Sequence, residues 1–118
     1  MLKLDSFQAI HLHRDPVDFR KSIDGLAAIV EQEMKLDVFS PQLFLFCNRQ
    51  RSKLKVLYWD ATGFALWYKR LERDKFMWPK RHECEVVRID AQQLEWLLSG
   101  YDVWRMKAHE KVHYTRVC

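Results

Sequence analysis

The chain has 118 residues, 48% of them hydrophobic and 31% charged, with three Gly and three Pro. That balance excludes a disordered or low-complexity polymer and leaves a globular domain able to bury a core. Its formal charge of +4 is unevenly spread, because ten Lys/Arg face three acids between Arg49 and Arg81 while the remainder carries ten basic and thirteen acidic residues; such a segment is the electrostatic footprint of a polyanion-binding face.

In chain order, Ala9 to His13 alternates well enough for a short strand, and Asp15-Pro16 then offers a helix cap with proline in the first turn. Phe19, Ile23, Leu26, Val30 and Met34 recur at helical spacing, which predicts a helix from Pro16 to Lys35. Asp18, Arg20, Lys21, Asp24, Glu31 and Lys35 fall on its solvated face. Beyond Asp37 the texture is that of strands. Leu43 to Cys47, Leu54 to Trp59 and Phe64 to Tyr68 are rich in aromatic and branched residues, with turn-type segments between them. Asp60-Ala61-Thr62-Gly63 places Asp and Gly where a tight turn wants them, so the second and third runs form a hairpin. Both faces of the second run are largely apolar, as in a central strand covered on two sides, with a helix against one of them.

Antiparallel pairing turns these elements into a surface. With Trp59 opposite Phe64 across the turn, Lys53 falls opposite Arg70, at the sheet end that also holds the Arg49 to Ser52 loop. Arg49, Arg51 and Lys53 then converge with Lys69, Arg70, Arg73 and Lys75. Together with Lys55, Lys80 and Arg81 of the same segment, these are the candidate phosphate-contacting residues. The alternative for any one of them is a charge that merely solubilises a loop or edge.

Phe76-Met77-Trp78-Pro79 is an apolar plug, read as core filling with a base-stacking platform as the alternative. Glu85 to Ile89 is another short strand. Asp90 then stands as a cap with Gln93 three residues on, Leu94, Leu97 and Leu98 supply an apolar stripe, and Gly100 sits where a helix ends. The stretch from Tyr101 to Cys118 has no clean period, and no element is assigned to it.

No constellation for catalysis emerges. His109 and His113 would share a helical face near Cys118, yet no third and fourth ligand is positioned, so no metal site is assigned. His11 and His13 share a strand face and His82-Glu83-Cys84 is a polar loop, where a Cys/His nucleophilic pair is the chemical alternative to ordinary surface groups. The acids are scattered and no Gly-rich phosphate loop is present, so neither catalytic residues nor a cofactor are expected. Cys47, Cys84 and Cys118 are odd in number and widely spaced, which predicts reduced thiols. No apolar run approaches the roughly 20 residues that span a bilayer. The charged start from Met1 to Asp5 lacks a following apolar core for secretion, so a cytoplasmic protein without a membrane partner is expected.

Three ordered blocks carry a resemblance: Asp18-Phe19-Arg20-Lys21-Ser22-Ile23-Asp24-Gly25-Leu26; Leu54-Lys55-Val56-Leu57-Tyr58-Trp59-Asp60 with Gly63-Phe64; and Tyr68-Lys69-Arg70-Leu71-Glu72 with Phe76 and Trp78-Pro79. With Gln93 to Gly100 near the end, the chain resembles the small TnpB-type accessory protein, the second open reading frame, of bacterial insertion sequence 66 elements. Phe19 and Ser22 stand where that family usually has Met and Gly, changes that suit a helix. The resemblance implies a role in transposition beside a separately encoded transposase that carries the strand-transfer chemistry. It makes Asp18, Arg20, Lys21, Trp59, Asp60 and Trp78 interaction candidates.

These readings predict a single α+β domain over residues 1–118: a mostly antiparallel sheet built on the 43–70 meander, a long N-terminal helix packed on it, and a second helix near the C-terminus. The expected function is that of a non-catalytic accessory binding DNA through phosphate contacts, with the transposase as its other partner. An adaptor that docks the transposase without touching DNA is the alternative. A nuclease, which would bring clustered carboxylates and metal dependence, is the third reading.

Overall fold

The computed structural model describes residues 7–79, 84–104 and 115–117. Lys80, Arg81, His82, Glu83, His109, His113 and Cys118 therefore lie outside the described residues. Strand β1 (Ala9–His13) alternates as expected, with Ile10 and Leu12 in one core layer while His11 stacks on Phe44 and His13 lies tilted against Phe46 of the other. Helix α1 (Ile23–Gln32) then crosses to β2 (Gln42–Cys47), which pairs in parallel with β1, a pairing that needs such a crossover. From β2 the chain runs as an antiparallel meander through β3 (Lys53–Asp60) and β4 (Gly63–Arg70). Strand β5 (Val86–Ile89) returns antiparallel on the far side of β1, followed by α2 (Ala91–Leu98). Strand β6 (Thr115–Val117), which lies in the stretch that offered no sequence signal, pairs antiparallel with β5. The sheet thus has six strands in the order β4-β3-β2-β1-β5-β6, α+β and mostly antiparallel as expected.

Each sheet face has its own core. Leu26, Ile29 and Val30 of α1 pack with Phe44, Phe46 and Leu57 on one side, and Leu94 and Leu97 of α2 pack with Leu12, Leu45, Val56 and Val87 on the other. Phe76 and Trp78 plug the α2 side, where the indole Nε1 donates to the His13 carbonyl at 3.1 Å. Cys47 is buried and free, whereas Cys84 is disulfide-bonded, so the expectation of reduced thiols fails at Cys84.

The long N-terminal helix is a correction. Helix is confined to Ile23–Gln32, because the residues before it commit their backbone elsewhere. The Val17 N–H donates to the Cys47 carbonyl at 2.9 Å, and the Arg20 N–H donates to Asp18 Oδ1 at 2.9 Å in a local turn. The carbonyls of Phe19 and Lys21 accept from Lys55 Nζ at 3.0 and 2.8 Å, so they point at a strand and not along a helix. Ser22 becomes the N-cap, in an extended conformation. At the other end Lys35 adopts φ 58, a left-handed conformation that turns the chain out of the helix. Met34 is nonetheless buried, so the apolar stripe outlasts the helix.

Helix α2 matches its signals at both ends. The Gln93 N–H donates to Asp90 Oδ1 at 2.7 Å while the Asp90 N–H donates to Gln93 Oε1 at 2.9 Å, a reciprocal capping box. Gly100 takes φ 94, and the Gly100 and Tyr101 N–H groups close on the carbonyls of Leu97 and Trp96 at 3.1 and 3.0 Å. This is the glycine-dependent pair of hydrogen bonds that ends many helices.

Candidate nucleic-acid interface

The register of the β3–β4 hairpin builds the cationic end of the sheet. Trp59 pairs with Phe64 and Lys53 with Arg70. The flanking loops are stitched to each other, since the Leu71 N–H donates to the Ser52 carbonyl at 2.8 Å and the Phe76 N–H to the Arg51 carbonyl at 2.7 Å. Residues 71 to 76 are thereby held against the 48–53 loop. Arg49, Arg51 and Lys53 meet Arg70, Arg73 and Lys75 at one end. Arg49, Arg73 and Lys75 are exposed, and Arg51 and Lys53 are half-buried.

Asn48 organises that loop, and sequence reasoning passed over it. Its buried side chain accepts from the backbone N–H groups of Ser52 and Lys53 at 2.9 and 3.0 Å, and its Nδ2 donates to Gln50 and Ser52 at 3.2 Å each. The available signal was an Asn opening a polar run between two strands, where its short amide bonds the chain a few residues on. Arg51 adopts φ 60 at the turn, so its side chain is aimed by the same loop geometry.

Several candidates from the same basic run do other work. Lys55 lies 7% exposed, with its ammonium bonded to the two carbonyls of the 19–21 segment and 4.8 Å above the Phe19 ring. Burial pushes its pKa below the ordinary value, helped by neighbouring Lys53. Lys55 is thus a clamp within the fold and is removed from the phosphate-contacting group. Lys69 pairs with Leu54 and so points to the α2 face, where its Nζ donates to the Leu98 carbonyl at 3.0 Å and caps the end of α2. It does not converge with Arg70, because adjacent strand residues point to opposite faces. Lys80 and Arg81 lie outside the described residues.

The interaction candidates divide in space. Asp18, Arg20 and Lys21 are exposed and lie beside the cationic loop, across a cleft of about 400 Å³ lined by Pro16 to Phe19 on one side and by Asn48, Arg49, Gln50 and Lys53 on the other. Asp18 and Arg20 pair at 2.6 Å, and the guanidinium holds the Asp18 carboxyl down at about 2. Trp59 and Asp60 sit at the opposite end of the hairpin, roughly 23 Å away along a strand. There Trp59 stacks edge-on with Phe64 and Phe39 at 5.0 and 5.2 Å. Trp78 is buried, which makes it a core residue and not a contact residue. Arg70 pairs with exposed Glu72 at 2.9 Å. Among the described residues no group of three or more His, Cys, Asp or Glu is placed to hold a metal ion, and no helix is long and apolar enough to cross a membrane.

The chain belongs to the family described as IS66 Orf2 like protein, whose model covers residues 8–108, and so to the accessory proteins of insertion sequences. Two relatives from Sinorhizobium fredii (strain NBRC 101917 / NGR234) are similar to it. The uncharacterized protein y4hO is 41% identical over 88 residues, 75% of each chain, and the uncharacterized protein y4jC is 30% identical over 102 residues, 86% of each chain. No solved structure matches the chain.

Proposed function

We propose that this chain is a single-domain, non-catalytic accessory of transposition that binds DNA through the cationic end of its sheet and assists a transposase encoded separately in the same element. The observation that carries the reading is the convergence of Arg49, Arg51 and Lys53 with Arg70, Arg73 and Lys75. Family membership supports the process, and the cationic end supports the ligand. These six groups position a phosphate backbone with little base specificity, since Lys and Arg contacts to phosphate carry no direct sequence information. The protein works in the cytoplasm, at the nucleoid when DNA-bound.

The test is a titration with short duplex DNA at several salt concentrations. Six phosphate contacts give a log-log salt slope of about −5, and Arg49→Glu with Arg73→Glu reduces both affinity and slope. A slope near zero, or no binding at low salt, refutes the reading. Metal-dependent nicking of supercoiled DNA that vanishes in Glu72→Ala would make the chain a nuclease instead.

The adaptor reading is favoured by a different observation. Phe39, 54% exposed, joins Trp59 and Phe64 in an aromatic cluster far from the cations. Such rings suit protein anchors. In this second reading that cluster docks the transposase, and loss of co-purification in Trp59→Ala, with DNA affinity unchanged, identifies it.

A further inference from the structure

We infer that Tyr68 is a stacking platform for an unpaired base, so that the cationic end takes single-stranded DNA in addition to duplex; this rests on the DNA-binding reading above. Tyr68 pairs with Lys55, one step from the Lys53 and Arg70 pair on the same sheet face. A large apolar ring is costly in that position unless something covers it. Yet Tyr68 remains 48% exposed while its cross-strand partner Lys55 is only 7% exposed. Its aromatic neighbour, Phe19, meets it at 81° with ring centroids 6.3 Å apart, a perpendicular contact that covers at most one face of the Tyr68 ring.

Phe19 is itself held in place. Lys55 sits over its ring and grips its carbonyl, so the pair of rings is built on rigid structure and not on a loose loop. Lys53 and Arg70 stand opposite each other one step along the same face from Tyr68, and Lys53 also lines the cleft beside Phe19. An exposed ring beside a pair of cations is an arrangement that binds a single strand: charges follow the phosphates and a base lies on the ring. A duplex cannot use it, because its bases are already stacked. The ligand chemistry is therefore a flexible polyanion with free flat faces, as at a frayed or displaced strand.

The experiment compares a labelled 20-nucleotide single strand, the same strand in duplex, and the single strand with abasic positions throughout its centre, by fluorescence anisotropy at fixed salt. The unmodified protein binds the single strand about tenfold more tightly than its abasic form, and Tyr68→Ala removes that difference while Tyr68→Phe keeps it. Duplex affinity stays the same in all three proteins. Equal affinity of the unmodified protein for the base-bearing and abasic strands overturns the stacking inference and leaves the duplex reading intact. So does an equal fall of Tyr68→Ala on all three probes. Absence of binding to any probe overturns both.

Discussion

Lys55 lies within a basic run, yet it serves the fold. It is the partner that lets the Phe19 and Lys21 carbonyls leave the helical path, and it thereby fixes the Asp18 to Lys21 block beside the 48–53 loop. Hydrogen bonds from a charged donor contribute about 1.5–3 kcal/mol each by mutation, less what relaxation recovers. Lys55→Met should therefore destabilise the protein by roughly 2–3 kcal/mol, read as a lowered urea midpoint. Lys53→Met, two residues away on the same face, should stay within about 0.5 kcal/mol because its head group is not tied to the core. Equal effects at the two positions would deny Lys55 its clamping role. Asp18 and Arg20 show the same division from the other side: the pair is exposed and makes a local turn, so it shapes the surface without anchoring the core.

At the level of elements, α1 is shorter than its apolar stripe, and the two ends of that stripe carry different weight. Leu26 is fully buried in the helix, whereas Ile23 is half-buried at its first turn. Leu26→Ala should cost about 2–5 kcal/mol, in the range for large-to-small changes in a packed core, and Ile23→Ala clearly less. Chemical denaturation of the two variants decides this, and a larger loss at Ile23 would contradict the packing described. Strand β4 is the open edge of the sheet, and its cationic C-terminal end, Lys69 and Arg70, is the kind of feature that discourages strand-to-strand aggregation. Of these two, Arg70 serves both the proposed interface and the protection of the edge, while Lys69 is turned to the end of α2.

At the level of the whole molecule, the hairpin separates two surfaces, a cationic end and an aromatic tip, on opposite ends of the same pair of strands. Under the proposed function, this separation would let DNA and a protein partner be held at once without competition for space. The stability of the fold also has a pH dependence with a defined sign. His11 is buried against Phe44, and burial lowers its pKa from 6.5, with Arg88 adding to the fall and the Gln42 side chain opposing it. A group that binds its proton more weakly when folded stabilises the fold above its unfolded value, and that contribution is lost as pH falls below it. Stability should therefore decline as pH drops from about 6.5. The decline should be shallower in His11→Leu, which keeps an apolar contact with Phe44. Parallel curves of stability against pH for the two proteins would exclude His11 as the source.

The strands, the β3–β4 register and both ends of α2 are local facts, so residues near in sequence determined them: alternation, a two-residue turn, and a cap with its partner three positions away. The convergence of the two basic groups followed from that register. The family could likewise be recognised from its ordered blocks. What tertiary structure alone decided depends on partners far along the chain. Lys55 reaches residues that lie before α1, Lys69 reaches the end of α2, and Trp78 closes over β1, which divides one basic and aromatic run into clamp, cap, core and surface. Helix α1 begins where it does for the same reason. An apolar period records which side chains are buried, but a backbone carbonyl follows whichever donor reaches it, and here that donor comes from a strand across the core.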